Sequence, residues 1–174
     1  MTLRCSVYIA VSADGFIARK NDALDWLDRV QIPGEDYGYA SFMRTIDVLV
    51  MGRRTYEVAL GFPSWPYEGK RIVVLTSTPN RESRHGEEFF SGDVRELVKR
   101  YEGRAYIDGG EVIRSFLKAH LIDDLTLSVV PILLGSGIPL FGPGLPETSL
   151  ELEESRSFAS GLVQSRYRVT RRAG

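Results

Sequence analysis

Five short runs built mainly from apolar and β-branched residues, separated by stripes of apolar residues at helical spacing, constrain this chain more than any other feature. The runs are Ser6–Val11, Asp47–Met51, Arg71–Thr76, Arg104–Asp108 and Asp124–Val130, and each reads as a buried strand. Strands that are apolar on both faces need cover on both faces. Tyr39, Phe42, Met43 and Ile46 supply one covering helix, Val94, Leu97, Val98 and Tyr101 a second, and Val112, Ile113, Phe116 and Leu117 a third that ends near His120. Arg53 to Leu60 is also helix-compatible, and Gly61-Phe62-Pro63-Ser64-Trp65-Pro66 breaks it because a proline cannot donate to the helix ladder. Alternating strands and helices fold by right-handed parallel crossovers with helices on both faces of one sheet. Two late segments alternate with period two: Leu150 and Leu152 against Glu151 and Glu153, then Val163, Ser165, Tyr167 and Val169 against Gln164, Arg166, Arg168 and Thr170. They predict antiparallel edge strands with one polar face. Between these groups, Pro131 to Pro146 holds four prolines and four glycines and reads as a structured loop. The expected fold is α/β: a single doubly wound mixed sheet, mostly parallel with antiparallel C-terminal edge strands, one domain over residues 1–174. Sheets of this kind bind ligands in the crevice at the carboxyl ends of their strands.

Charge and cysteine usage narrow the partners. Lys plus Arg number 22 against 23 Asp plus Glu, which leaves no broad positive field for nucleic acid or anionic lipid. The arginines at 166, 168, 171 and 172 read as solvent-face charges that protect an edge strand. No apolar run reaches the roughly 20 residues of a membrane span, and the N-terminus has no secretory pattern. With a lone Cys5 there is no intrachain disulfide, so a reducing cytoplasm is the expected compartment. His85 and His120 lack a Cys or second His at metal spacing, and no metal site is expected.

Three strand ends carry residues suited to phosphate. Gly52-Arg53-Arg54-Thr55 opens a helix, where free backbone N–H groups, the positive dipole end and two guanidiniums lie together. Thr76-Ser77-Thr78 offers three hydroxyls, with Arg81 and Arg84 close in sequence. Gly109-Gly110-Glu111 lets a ligand approach the backbone at another helix start. Singly, each has a plain alternative: solvated arginines, an ST-turn or cap, a tight strand-to-helix turn. Their conjunction on one sheet favours a site. Competing motifs fail on their own terms. Gly61 to Lys70 has Arg71 where a P-loop needs Ser or Thr, Gly135-Ser136-Gly137 does not lie between a strand and a helix, and a G-x-S-x-G elbow is missing.

The pieces Ile9-Ala10-Val11-Ser12-Ala13-Asp14-Gly15-Phe16-Ile17-Ala18, Asn21 with Leu24 and Trp26, Met51-Gly52-Arg53-Arg54-Thr55-Tyr56-Glu57, Leu75-Thr76-Ser77, Ile107-Asp108-Gly109-Gly110 and Pro131-Ile132-Leu133-Leu134-Gly135-Ser136-Gly137 run in order over nearly the whole chain. Together they resemble the dihydrofolate reductase-like superfamily, and within it the reductase domain of the riboflavin-biosynthesis deaminase-reductases and its small standalone relatives. The resemblance implies NADPH-dependent hydride transfer to a pyrimidine- or pteridine-type ring, similar to 5-amino-6-(5-phosphoribosylamino)uracil reductase, with dihydrofolate reductase as runner-up. It places Ala10 and Ile17 at the nicotinamide. Gly52, Arg53, Arg54 and Thr55 with Leu75, Thr76 and Ser77 would take the phosphates and adenosine ribose, and Gly109, Gly110, Glu111, Val112 and Ile113 the diphosphate. Arg53, Arg54 and Ser77 would meet a 2′-phosphate, which favours NADPH over NADH. Asp36, 16 residues ahead of Gly52, is the candidate proton donor, expected to have a pKa raised by desolvation; a helix N-cap is its alternative. Trp26, Phe42 and Tyr56 are candidates for the walls of the substrate ring, with core packing as the alternative. A homodimer in contact through Ile132 to Phe141 and the edge strands is also implied. The chain departs from the family pattern in lacking a zinc deaminase signature, in having LGFPSWPY over Leu60 to Tyr67 in place of the D-x-P-x-L-x-x-R stretch, and in having Asp108 where Glu precedes Gly-Gly. A non-catalytic nucleotide-binding dimer is the alternative from another class.

Overall fold

The computed structural model describes residues 2–79 and 82–171; Arg81 and Arg172 lie outside them. The five apolar runs become β1 (Arg4–Ser12), β3 (Val48–Gly52), β4 (Arg71–Leu75), β6 (Arg104–Asp108) and β7 (Asp124–Val130). With β5 (Glu88–Phe90), β9 (Ser149–Ser157) and β10 (Val163–Thr170) they form one eight-stranded sheet of order β5-β4-β3-β6-β1-β7-β10-β9. Every pair from β5 through β7 is parallel, and β10 runs antiparallel to both β7 and β9. The mixed, mostly parallel sheet with antiparallel C-terminal strands is therefore as expected. A second, two-stranded sheet pairs β2 (Phe16–Ala18) with β8 (Ile138–Pro139).

Helices α3 (Val94–Val98) and α4 (Gly110–Lys118) cover one face, burying Val7, Val50, Ile107, Phe116 and Leu117. Helices α1 (Tyr39–Arg44) and α2 (Arg53–Leu60) cover the other, over Leu49, Met51, Val74 and Tyr106. A third cluster on the second face joins Trp26 and Val30 of a 3-10 helix (Asp25–Val30) to Val130 and Leu162. Helix α1 is shorter than its apolar stripe. Lys70 Nζ donates to the carbonyls of Met43 (2.7 Å) and Ile46 (3.1 Å) and Thr45 Oγ1 to that of Phe42 (2.7 Å), so side chains satisfy the helix end.

Two features differ from the sequence reading. Leu150, Leu152 and Val163 are exposed, so the alternation in β9 and at the start of β10 marks no buried apolar face within this chain. Part of the 131–146 loop pairs with β2, which gives it a fixed place. The basic residues of β10 are held by acids: Arg166 by Glu153 (3.1 Å), Arg168 by Glu151 (2.5 Å), and beyond the strand Arg171 by Asp123 (3.2 Å). At the amino ends of β1, β6 and β7 the fully buried Asp124 accepts from Arg4 Nε (2.8 Å), Ser6 Oγ (2.9 Å) and Arg104 Nη2 (3.1 Å), tying three strands together.

Candidate active site

At the opposite, carboxyl end of the sheet, β3 and β6 lie side by side with Met51 in register with Asp108. Each strand runs straight into a helix whose N-cap is a glycine: Gly52 before α2 and Gly109 before α4, neither helix having a side-chain cap. The first N–H groups of both helices therefore lack intrahelical or side-chain capping partners, and together they form an electropositive rim. Gly109 has φ +94°, and a Cβ there would sit 2.5 Å from Thr55 Oγ1, so the two turns fit together only with glycine at this position. At Gly110 a Cβ would lie 3.1 Å from Ile17 Cδ1 and 3.2 Å from the Pro139 carbonyl oxygen, which packs the β2–β8 sheet onto the start of α4.

Asp14 fixes that small sheet from the other side. Its carboxylate accepts from Ser12 Oγ (2.6 Å) and from the amides of Leu134 (3.0 Å) and Gly135 (2.8 Å), which pins the 131–137 loop to the end of β1. The Ser12 hydroxyl and then the two amides hold the Asp14 pKa below the ordinary value.

These elements enclose a cavity of about 1230 Å³, larger than the roughly 300–1,000 Å³ of an ordinary small-molecule site. One part is lined by Gly52, Arg54, Thr55, Gly109, Gly110, Glu111, Val112 and Arg114, with Ile17 and Pro139 above them. The other lies between the 3-10 helix segment and β1, lined by Tyr8, Ala10, Leu24, Leu27, Ile32, Pro33, Tyr37, Tyr39 and Ser128. Gln164 Nε2 braces this wall, donating to Tyr8 Oη (3.1 Å), the Tyr37 carbonyl (2.9 Å) and Ser128 Oγ (3.0 Å), while the Tyr8 hydroxyl donates to the same Tyr37 carbonyl. Burial pushes the Tyr39 phenol up to about 12, and the Tyr8 phenol above its ordinary value, so both stay neutral.

Asp108 lies among these groups at the end of β6. Burial raises its pKa to about 6, against the weaker opposing pull of the Gly109 amide. The desolvated carboxyl expected at Asp36 is therefore at Asp108. Asp36 does line the cavity, but it is exposed. The amides of Ala40 (2.9 Å) and Gly38 (2.9 Å) donate to its carboxylate and hold its pKa below the ordinary value.

The expected cofactor residues divide. Ala10, Ile17, Gly52, Arg54, Thr55, Gly109, Gly110, Glu111 and Val112 line the one cavity. Arg54 is paired with Asp22 (2.5 Å) and Arg53 with Glu57 (2.8 Å), the latter pair outside the cavity. Leu75 is in register with Gly52, so Thr76 and Ser77 follow one strand away from the α2 start without lining the cavity. Ile113 is fully buried on the core side of α4.

None of the three candidate ring walls lines the cavity, and each takes the alternative of core packing. Trp26 packs against Val130 and Leu162, Phe42 stacks on Tyr8 (4.6 Å), and the buried Tyr56 donates to Glu87, because each apolar ring finds a protein partner on the core side of its helix. Their places around the cavity are taken by Tyr8, Tyr37, Tyr39, Phe62 and Tyr67. Tyr8 lies in the first apolar run, Tyr39 in the first helical stripe, and Phe62 and Tyr67 in the LGFPSWPY stretch.

Among the described residues no cluster of three or more His, Cys, Asp or Glu could hold a metal ion, and no helix is long and apolar enough to cross a membrane.

Residues 69–164 match the family model described as the RibD C-terminal domain. The chain is 36% identical over 168 residues to the uncharacterized protein YwjB of Bacillus subtilis (strain 168), covering 93% of this chain and 96% of the relative. It superposes with TM-score 0.88 and 37% identity on the crystal structure of a putative riboflavin biosynthesis protein from Shewanella sp. PV-4, covering 98% and 100% of the two chains. With dihydrofolate reductase from Enterococcus faecalis complexed with NADP(H) the TM-score is 0.63 at 20% identity, covering 97% of each chain, which shows a shared fold. With its dihydrofolate reductase-like fold and paired glycine turns, the chain belongs to the RibD C-terminal domain family.

Proposed function

We propose that the protein is a reductase that uses NADPH to reduce a pyrimidine- or pteridine-type ring. The observation that carries this reading is the pair of uncapped, glycine-started helices on adjacent strands, opening on one cavity large enough for a dinucleotide and a ring side by side. Gly52, Arg54 and Thr55 with Gly109 to Val112 would hold the diphosphate, with Ala10 and Ile17 against the nicotinamide. Arg54, with Ser77 one strand away, would receive a 2′-phosphate. When bound, the reduced cofactor supplies the hydride.

The chain then has three tasks: to hold the two rings in contact, to exclude water and to deliver one proton. The neutral phenols of Tyr8 and Tyr39 and the apolar Leu24 and Leu27 form the ring wall. Asp108, with a pKa of about 6, is suited to hold a proton up to about pH 6 and pass it to a ring nitrogen as the adjacent carbon is reduced. A non-catalytic nucleotide-binding protein would need no such group; the exposure of Asp36 agrees with that second reading, whereas Asp108 favours catalysis.

Calorimetric titration with NADPH and NADH tests the first step. NADPH is expected to bind more tightly, and Arg54→Ala to weaken NADPH more than NADH. Absence of binding by either cofactor overturns the reading.

A further inference from the structure

Resting on the reductase reading of this cavity, we infer that its substrate is a ring compound without a phosphate group, neutral or cationic, excluded from carrying an anionic tail by the charge of the cavity itself. Only two basic side chains line the cavity among the described residues: Arg54 in the first turn of α2, and Arg114 in the middle of α4, whose guanidinium reaches back toward Gly110 on the side assigned to the dinucleotide. Arg54 pairs with Asp22 (2.5 Å) and the Lys20 carbonyl (3.2 Å), and Arg114 donates to the Pro139 carbonyl (2.6 Å), so both point to the dinucleotide side.

The substrate half has no Lys, Arg or His on its described lining, and its mouth carries Glu35 and Asp36. Hydrogen bonds from the Ala40 and Gly38 amides keep Asp36 ionised, so a fixed negative charge stands at the entrance. The segment that follows α2 adds Phe62 and Tyr67 to the cavity, aromatic surface and not a cation. A phosphate entering this half would be desolvated without a charged partner and would face a like charge, both unfavourable. The dinucleotide's own phosphates, once bound, add to that field. A flat uncharged ring instead meets tyrosine faces and leucine side chains, and a cationic ring gains from the acidic rim.

The test compares 5-amino-6-(ribosylamino)uracil with its 5′-phosphate, titrated calorimetrically into the full chain with and without saturating NADP⁺. The unphosphorylated compound is expected to bind at least about tenfold more tightly at low salt, with the gap narrowing at high ionic strength. Glu35→Lys is expected to raise the affinity of the phosphorylated compound about tenfold. Equal or tighter binding of the 5′-phosphate to the parent protein, or binding of neither compound, overturns the inference. Loss of NADP⁺ binding is read separately in the cofactor titration and overturns the reductase reading, while the pair compared without NADP⁺ still decides this one.

Discussion

Replacing Asp108 by Asn keeps the shape of the side chain and removes its charge. Burial raises the Asp108 pKa from 3.8 to about 6, so the folded protein binds this proton more tightly than the unfolded chain does. Ionisation of such a carboxyl destabilises the fold. The cost is absent below about pH 4, grows as pH rises between the two pKa values, and is fully present above about pH 6. Linkage with these two values gives a cost of about 1.6 kcal/mol at pH 5 and about 3 kcal/mol at pH 8. Cavity water lowers both figures, because part of the carboxyl stays solvated, but the widening with pH remains. Urea unfolding of parent and Asp108→Asn at pH 5 and pH 8 measures it. The variant is expected to be more stable, by about 2–3 kcal/mol at pH 8 and by about 1 kcal/mol less than that at pH 5, while its reduction rate falls roughly 10²–10⁴-fold. In the parent, kcat/KM is expected to decline above about pH 6 as the proton is lost. A variant no more stable than its parent at pH 8, or a gap that does not change between the two pH values, refutes the placement of a desolvated carboxyl at the end of β6.

Three further substitutions probe the frame of the site. Gly109→Ala forces a Cβ against Thr55 Oγ1 at φ +94°; it is expected to lower stability by about 1–3 kcal/mol and to weaken NADPH, read by thermal melting and titration. Asp124→Ala leaves Arg4 and Arg104 without their buried acid and should cost about 2–4 kcal/mol in urea unfolding, reduced from the full buried-pair figure because Arg4 is more than half exposed. Burial raises the Glu87 pKa, but the Tyr56 hydroxyl and the Arg84 and His85 amides outweigh that and bring it down to about 2. Its stabilisation is present above the ordinary 4.5 and lost as pH falls toward 2, so Glu87→Gln should destabilise at pH 7 and match the parent near pH 2.

The sheet was legible because its signal is local: mainly apolar strands of five to nine residues leave few alternatives to burial between helices. The short strands β2, β5 and β8 gave no such signal; Glu88–Phe90 lies at the end of a polar stretch, and Ile138–Pro139 includes a proline, so pairing partners decide them. The glycine turns at 52 and 109 were legible for the same local reason. The ring wall was not, since whether an aromatic faces a cavity or a core depends on which side of its element meets the neighbouring layer. Phe42 and Tyr39 are three residues apart on one helix, and only Tyr39 reaches the opening. Asp108 stood in a recognised motif, yet its raised pKa comes from burial, which no local pattern announces; the phenols of Tyr39 and Tyr67 stand close enough to feel its charge.

Gln164 belongs to the penultimate strand of the sheet, 156 residues from Tyr8, and its one amide group holds Tyr8, the Tyr37 backbone and Ser128 in a fixed relation. The outer hairpin thereby acts as an adjusting screw on the binding chamber. A shift in its seating would retune the tyrosine side of the chamber, where Gln164 makes these three bonds.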